Sequence, residues 1–192
     1  TVQSLGDQIA GLAPGDLEPM DTAIAFDIAG AFNNSERKWH LCLATKSGKS
    51  FYAYRDGTAP ARFEQMPIYA SGHMRSVSCA LGHEGLHVCA ATQEGWIVHI
   101  IRRPDGTWSD VGKVSTVTGC SELFQQVAIS HYDAPGLAGT LHVAGITRTG
   151  GLLHAIRTAE ETAEPLWSPF IDVKAHAGDK GAVTSVDIGV AA

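Results

Sequence analysis

The chain lacks several features that would settle its class at once. No run of 18 apolar residues occurs, so no transmembrane helix is encoded. Basic residues are few: 14 Lys and Arg stand against 20 Asp and Glu, a net charge of −6, which leaves no basic footprint for nucleic acid. Four cysteines in 192 residues show neither CxxC nor Cys/His zinc spacing. We read them as free thiols, which leans towards a reducing compartment. The opening TVQSLGDQIAG has neither the basic nor the apolar part of a signal peptide, so a cytoplasmic chain and one secreted without a visible leader both remain open. P-loop, GxGxxG, GxSxG and HExxH patterns are missing, and we expect no cofactor, no metal site and no catalytic residue.

What the chain does have is a repeat. Three segments share one pattern: KWHLCLATKSGKSFYAYR from Lys38, GLHVCAATQEGWIVHIIR from Gly85 and TLHVAGITRTGGLLHAIR from Thr140. The matched positions are His40/His87/His142, Thr45/Thr92/Thr147, Gly48/Gly95/Gly150, Tyr52/His99/His154 and Arg55/Arg102/Arg157. Spacing inside each copy is identical, and the copies lie 47 and 55 residues apart. Strand-like units at that period indicate a β-propeller or a related β array.

Each copy reads as two strands around a polar turn, with a further strand before and after. In the second copy, LHVCAAT ends at QEG, WIVHIIR ends at RPDG, and WSDVGKV follows. The preceding strands are TAIAFDIA, SVSCALG and FQQVAIS. Four antiparallel strands per unit make a propeller blade. The expected architecture is one all-β domain over 1–192, with blades near 22–69, 73–116 and 122–174. Partial-blade strands are expected at 1–10 and 182–192. An arc of about 3.5 blades would expose apolar inter-blade faces and free edges. We therefore expect self-association, a homodimer completing the ring.

Alternation places His87, Cys89 and Ala91 on one face of their strand and Leu86, Val88, Ala90 and Thr92 on the other. Ile97, His99 and Ile101 share a face of the next strand, opposite Trp96, Val98, Ile100 and Arg102. Cys42 and Cys89 share a repeat position with Ala144, which marks a small apolar slot. A His or Arg recurring in every blade has a packing or hydrogen-bonding role in the blade itself. The same recurrence also suits multivalent binding. Sugars fit such sites, because an aromatic ring packs on their C–H face while Arg and amide groups bond their hydroxyls. The candidate sugar-binding residues are Trp39, Trp96, Trp108, Trp167, Arg55, Arg102, Arg157, His99 and His154. Trp108 and Trp167 share a fourth-strand position, with Phe63 or its neighbourhood as the first-copy counterpart, and fit either blade-edge packing or a site. Trp39 and Trp96 do not repeat and could be core or site.

The motif H-x-x-x-x-T-x-x-G-x-x-x-H-x-x-R followed by DGTW, with WSPFIDVKAHAGDKGAVTSV, resembles the blade repeat of the PLL-like bacterial propeller lectins. The resemblance is best over 85–114 and 140–186. It implies seven blades and pockets between them for fucose and related or O-methylated sugars. This chain is about half the usual length, Tyr52 replaces a His, and DGTAPARF replaces DGTW. A non-catalytic scaffold for protein partners is the second reading, and a metal-dependent hydrolase or lactonase using the central channel is the third.

Overall fold

The computed structural model describes residues 25–33, 38–45, 49–56, 62–68, 73–132, 139–158, 166–178 and 181–188. They form three antiparallel sheets in chain order. The first blade holds β1 (Ala25–Asn33), β2 (Lys38–Thr45), β3 (Ser50–Asp56) and β4 (Arg62–Gln65). The second holds β5 (Met74–Gly82), β6 (Gly85–Thr92), β7 (Ile97–Arg102) and β8 (Gly112–Lys113). The third holds β9 (Phe124–Tyr132), β10 (Thr140–Thr147), β11 (Leu152–Thr158) and β12 (Leu166–Trp167), with β13 (Ile171–Asp172) also paired to β11. Short helices α1 (Val114–Val117) and α2 (Val173–Ala177) follow the last strands of the second and third blades. Neither is long enough to cross a membrane.

The repeated Thr anchors the β-hairpin in each blade, and in the second and third the repeated Gly makes its turn. The Thr45, Thr92 and Thr147 hydroxyls accept from the backbone N–H four residues on, at 3.1, 3.2 and 2.9 Å. Gly95 and Gly150 then take φ of 101° and 82°, where a side chain is strained. The fourth strands are shorter than the expected WSDVGKV and LWSPFIDV. Serine hydroxyls replace part of the ladder there: Ser109 Oγ accepts from Ile101 N and Ser168 Oγ from Ile156 N, both at 2.9 Å. Residues 182–188 join no sheet, and Val183 N–H donates to the Gly150 carbonyl at 3.4 Å. The strand expected at 1–10, and residues 189–192 of the one expected at 182–192, lie outside the described residues.

The blades stack face to face, and their first strands meet. β5 packs on β1 at the first seam and on β9 at the second. The alternation of β6 decides which side chains fill which seam. Leu86, Val88 and Ala90 join Cys42, Ala44, Tyr52 and Cys79 in the first. Cys89 and Ala91 join Phe124, Val127, Leu141 and Val143 in the second. Removing each large apolar side chain from water stabilises by about 1.5–3 kcal/mol. At the inner edge Ser76 and Ser78 act across the second seam, accepting from Val127 N at 3.2 Å and Ile129 N at 3.0 Å. All four cysteines are free thiols. A hydrogen bond with the Cys79 thiol, together with burial, holds Cys42 well above the ordinary thiol pKa.

Candidate functional site at the blade seams

Two of the repeat's polar positions meet inside every blade. His40 Nδ1 lies 2.8 Å from the Tyr52 hydroxyl, His87 Nδ1 lies 3.1 Å from His99 Nε2, and His142 Nδ1 lies 3.1 Å from His154 Nε2. The rings stack with centroids 5.9, 5.4 and 5.3 Å apart. Each is a diagonal cross-strand pair: Cys42, not His40, faces Tyr52, and Cys89, not His87, faces His99. The substitution of Tyr for His in the first copy therefore preserves the contact. These residues fasten β2 to β3 and its counterparts.

The first seam gathers four chemically distinct groups. Arg102, at the end of β7, lies over the Tyr52 ring at 5.6 Å and over the Trp108 ring at 5.3 Å. Its Nη2 is 3.1 Å from Glu64 Oε1 and 3.3 Å from Oε2. The Trp108 indole N–H donates to Glu64 Oε1 at 3.0 Å, and its ring meets Tyr52 edge-on at 5.5 Å. Glu64 comes from β4, directly opposite Tyr52. The DGTW turn lies against the arginine: Asp105 accepts from Thr107 N at 2.8 Å, and a Cβ at Gly106, whose φ is 86°, would stand 3.5 Å from the guanidinium. Burial holds the Tyr52 phenol well above its ordinary pKa, against the Arg102 charge, so it stays neutral. Glu64 is partly exposed and Arg102 and Trp108 are half-buried, so the cluster reaches solvent at the blade rim.

The second seam uses the same repeat positions differently. Gly112 stands opposite His99, where Glu64 stands opposite Tyr52, so the fourth strand supplies no carboxylate. Arg157 is instead held by Glu84 from the β5–β6 turn, with Nη1 to Oε2 at 2.5 Å and Nη2 to Oε1 at 3.3 Å. Burial raises the Glu84 carboxyl, but the Arg157 hydrogen bond and charge outweigh it and the net shift is downwards. Trp167 meets His99 edge-on at 5.5 Å, and the His131 ring stacks on His87 at 5.6 Å. A Cβ at Gly82 would sit 2.6 Å from that His131 ring, so any larger residue there would have to displace the ring. His87 Nε2 is 3.8 Å from Glu84 Oε2, which favours hydrogen on Nε2; we assign Nδ1 as acceptor and His99 Nε2–H as donor. Burial and then the Arg157 charge push His87 down to about 3, and burial also holds His99 well below the usual histidine range.

The nine candidate residues thus separate. Arg102 and Trp108 converge at the first seam; Arg157, Trp167 and His99 converge at the second, with Arg157 buried. His154 is half-buried on the outer face of the third blade. Trp39 and Arg55 face each other in register on the first blade, both exposed. Trp96 sits at its hairpin turn with the Lys113 ammonium 5.9 Å from its ring. The repeat does not mark Glu64, Glu84, Ser109 or Ser168. Glu64 and Glu84 could not emerge from a search for recurring positions, since Gly112 and Ile171 take the Glu64 place. The serines did carry a signal, because each follows a repeated Trp.

No family model matches the chain, and no curated protein matches it. Among solved structures, AofleA from Arthrobotrys oligospora aligns with a TM-score of 0.55 at 14% identity, covering 86% of this chain and 46% of its own. A fucose lectin from Kordia zhangzhouensis, solved with methyl-fucoside, gives 0.48 at 13% identity over 73% of this chain and 96% of its own. The fucose-specific lectin from Aleuria aurantia gives 0.47 at 9%, over 76% and 48%. This chain spans about half the length of AofleA and of the Aleuria lectin. With the three stacked antiparallel sheets, of four, four and five strands, the likeness to AofleA establishes the fold: an all-β chain of β-propeller type. The PLL-like resemblance rests on the sequence motif.

Proposed function

We propose that the chain is a non-catalytic, lectin-like propeller that binds fucose or related, including O-methylated, sugars at the seam between its first two blades. The observation that carries this reading is the cluster of Arg102, Glu64 and Trp108 at the rim of that seam. Guanidinium donors and carboxylate oxygens together match the acceptor and donor needs of neighbouring sugar hydroxyls. The indole face offers an apolar surface to a sugar's C–H side or a deoxy-sugar methyl. Arg102 and Glu64 already neutralise each other, so the seam suits a neutral sugar better than an anion. The names of the Kordia and Aleuria proteins accord with this ligand class. Self-association of the chain would place several seams on one particle and raise avidity.

A glycan array carrying fucosylated and O-methylated glycans tests the proposal. We expect binding by the wild-type chain and its loss in Arg102→Ala. Failure to bind any such glycan would overturn the lectin reading and leave the protein-scaffold alternative.

A further inference from the structure

The first seam brings two thiols together from different blades. Cys42 lies on β2 and Cys79 on β5, and both side chains belong to the apolar cluster between the first and second blades. They are 0% and 7% exposed, and their thiols share a hydrogen bond. In the chain they stand 37 positions apart, so a bond between them would tie one blade to the next. Cys42 also stands opposite Tyr52 in the β2–β3 ladder, and Arg102 lies over the Tyr52 ring. The thiol pair is therefore a neighbour of the Arg102, Glu64 and Trp108 cluster.

The repeat places the pair twice and fills it with sulfur once. Cys42 and Cys89 occupy one repeat position, and each turns towards the blade that follows its own. Cys79 faces Val88 in its ladder and Ile129 faces Val143 in the next, so Cys79 and Ile129 are equivalent as well. Cys89 and Ile129 accordingly share the second cluster, as Cys42 and Cys79 share the first. The second seam thus sets an isoleucine against its cysteine where the first sets another cysteine. Cys120, after α1, packs on the second cluster and belongs to neither pair.

We propose that Cys42 and Cys79 form a latent disulfide, closed by a peroxide, that staples the first blade to the second. Hydrogen peroxide converts one thiol to a sulfenic acid and releases one water. The other thiol then attacks that sulfur, the hydroxyl leaves as a second water, and the S–S bond forms. Two S–H bonds and the peroxide O–O bond break, and the two electrons and two protons given up by the thiols end on the two waters. Thiolate is the nucleophile in both steps. The hydrogen bond with Cys79, and burial, keep Cys42 protonated while the seam is closed. Oxidation therefore proceeds when the seam loosens, and each bond made holds it shut again. This inference goes beyond sugar recognition and is tested without any sugar.

Hydrogen peroxide treatment of the reduced full chain, then alkylation in denaturant and peptide mapping without reductant, reads it out. The wild type is expected to give a linked peptide joining Cys42 to Cys79, to lose both as alkylation sites, and to keep Cys89 as an alkylated thiol. Its urea midpoint should rise on oxidation and fall back with dithiothreitol, because the crosslink restricts the unfolded chain. Cys42→Ala installs the residue that the third copy carries at that position, and Cys79→Ile the one that the second seam carries. Each should abolish the linked peptide and the midpoint shift, whereas Cys89→Ala should keep both. The mapping on the wild type stands whether or not the variants fold. Cys42 and Cys79 still alkylated after treatment, oxidised to sulfinic acids without a link, or joined instead to Cys89 or Cys120 would each overturn the inference. So would a Cys42–Cys79 link that leaves the urea midpoint where it was.

Discussion

Arg102 and Arg157 occupy one repeat position, yet their surroundings give them different work. Arg102 shares a partly exposed carboxylate with an indole N–H, so its loss should cost recognition more than stability. We expect Arg102→Ala to weaken sugar binding by at least about tenfold, read by calorimetry, with a change in unfolding free energy of about 1 kcal/mol or less. Arg157 is buried, and removing its only described carboxylate partner strands a charge. Glu84→Ala should therefore destabilise the fold by about 2–4 kcal/mol in urea titration. The buried histidines set a pH dependence. Unfolded, His87 and His99 take up protons near 6.5; folded, His87 does so only near 3 and His99 also well below its usual range. Between those values the unfolded chain binds more protons. Stability is full above pH 6.5 and falls as the pH drops, by about 1.4 kcal/mol per unit for each histidine. Urea midpoints at pH 7, 6 and 5 check the trend, and a flat profile would contradict it. The sequence marked these histidines and arginines by recurrence. It did not reveal which arginine faced solvent, because that depends on Glu64 and Glu84, which do not recur.

At the level of the element, the hairpins were the most legible part of the chain. Thr, a spacer of two and Gly recur at fixed distance because one turn geometry requires both: a hydroxyl acceptor for the N–H four residues on, and a positive φ before it. Thr92→Val should cost about 1 kcal/mol. Gly95→Ala should cost about 2 kcal/mol or more, since φ of 101° is compounded by a Cβ 2.8 Å from Leu123. Thermal melts of both variants test the ranking. The fourth strands were less legible. WSDVGKV and LWSPFIDV alternate well enough to suggest continuous strands, but the serine after each Trp diverts the ladder through its hydroxyl, and Pro169 offers no N–H to continue it. Side-chain capture of a backbone donor leaves no mark in hydrophobic periodicity.

Across the whole molecule, the two described seams are alike in packing and unlike in chemistry. The first leaves a guanidinium and a carboxylate at the rim; the second ties its guanidinium to Glu84 under a stack of imidazoles. Calorimetric titration with methyl-fucoside should accordingly find one of these two seams occupied per chain, and Glu64→Gln should reduce that occupancy. Two binding events, one at each, would contradict the distinction. Seam packing also fixes which backbone positions tolerate change: a Cβ at Gly145 would lie 2.5 Å from Phe124 and 3.1 Å from Ile97 of the neighbouring blade. The blade count followed from the repeat, whereas the seam partners depend on registers that no periodicity encodes. The diagonal ring pairs have a consequence for the order of assembly. His87 and His99 are twelve positions apart, while Arg157 and Glu84 are 73 apart. Short loops close at less entropic cost, so each hairpin can be fastened as soon as its own residues leave the ribosome, before the next blade exists. Contacts between blades close longer loops and are therefore expected to form after the hairpins.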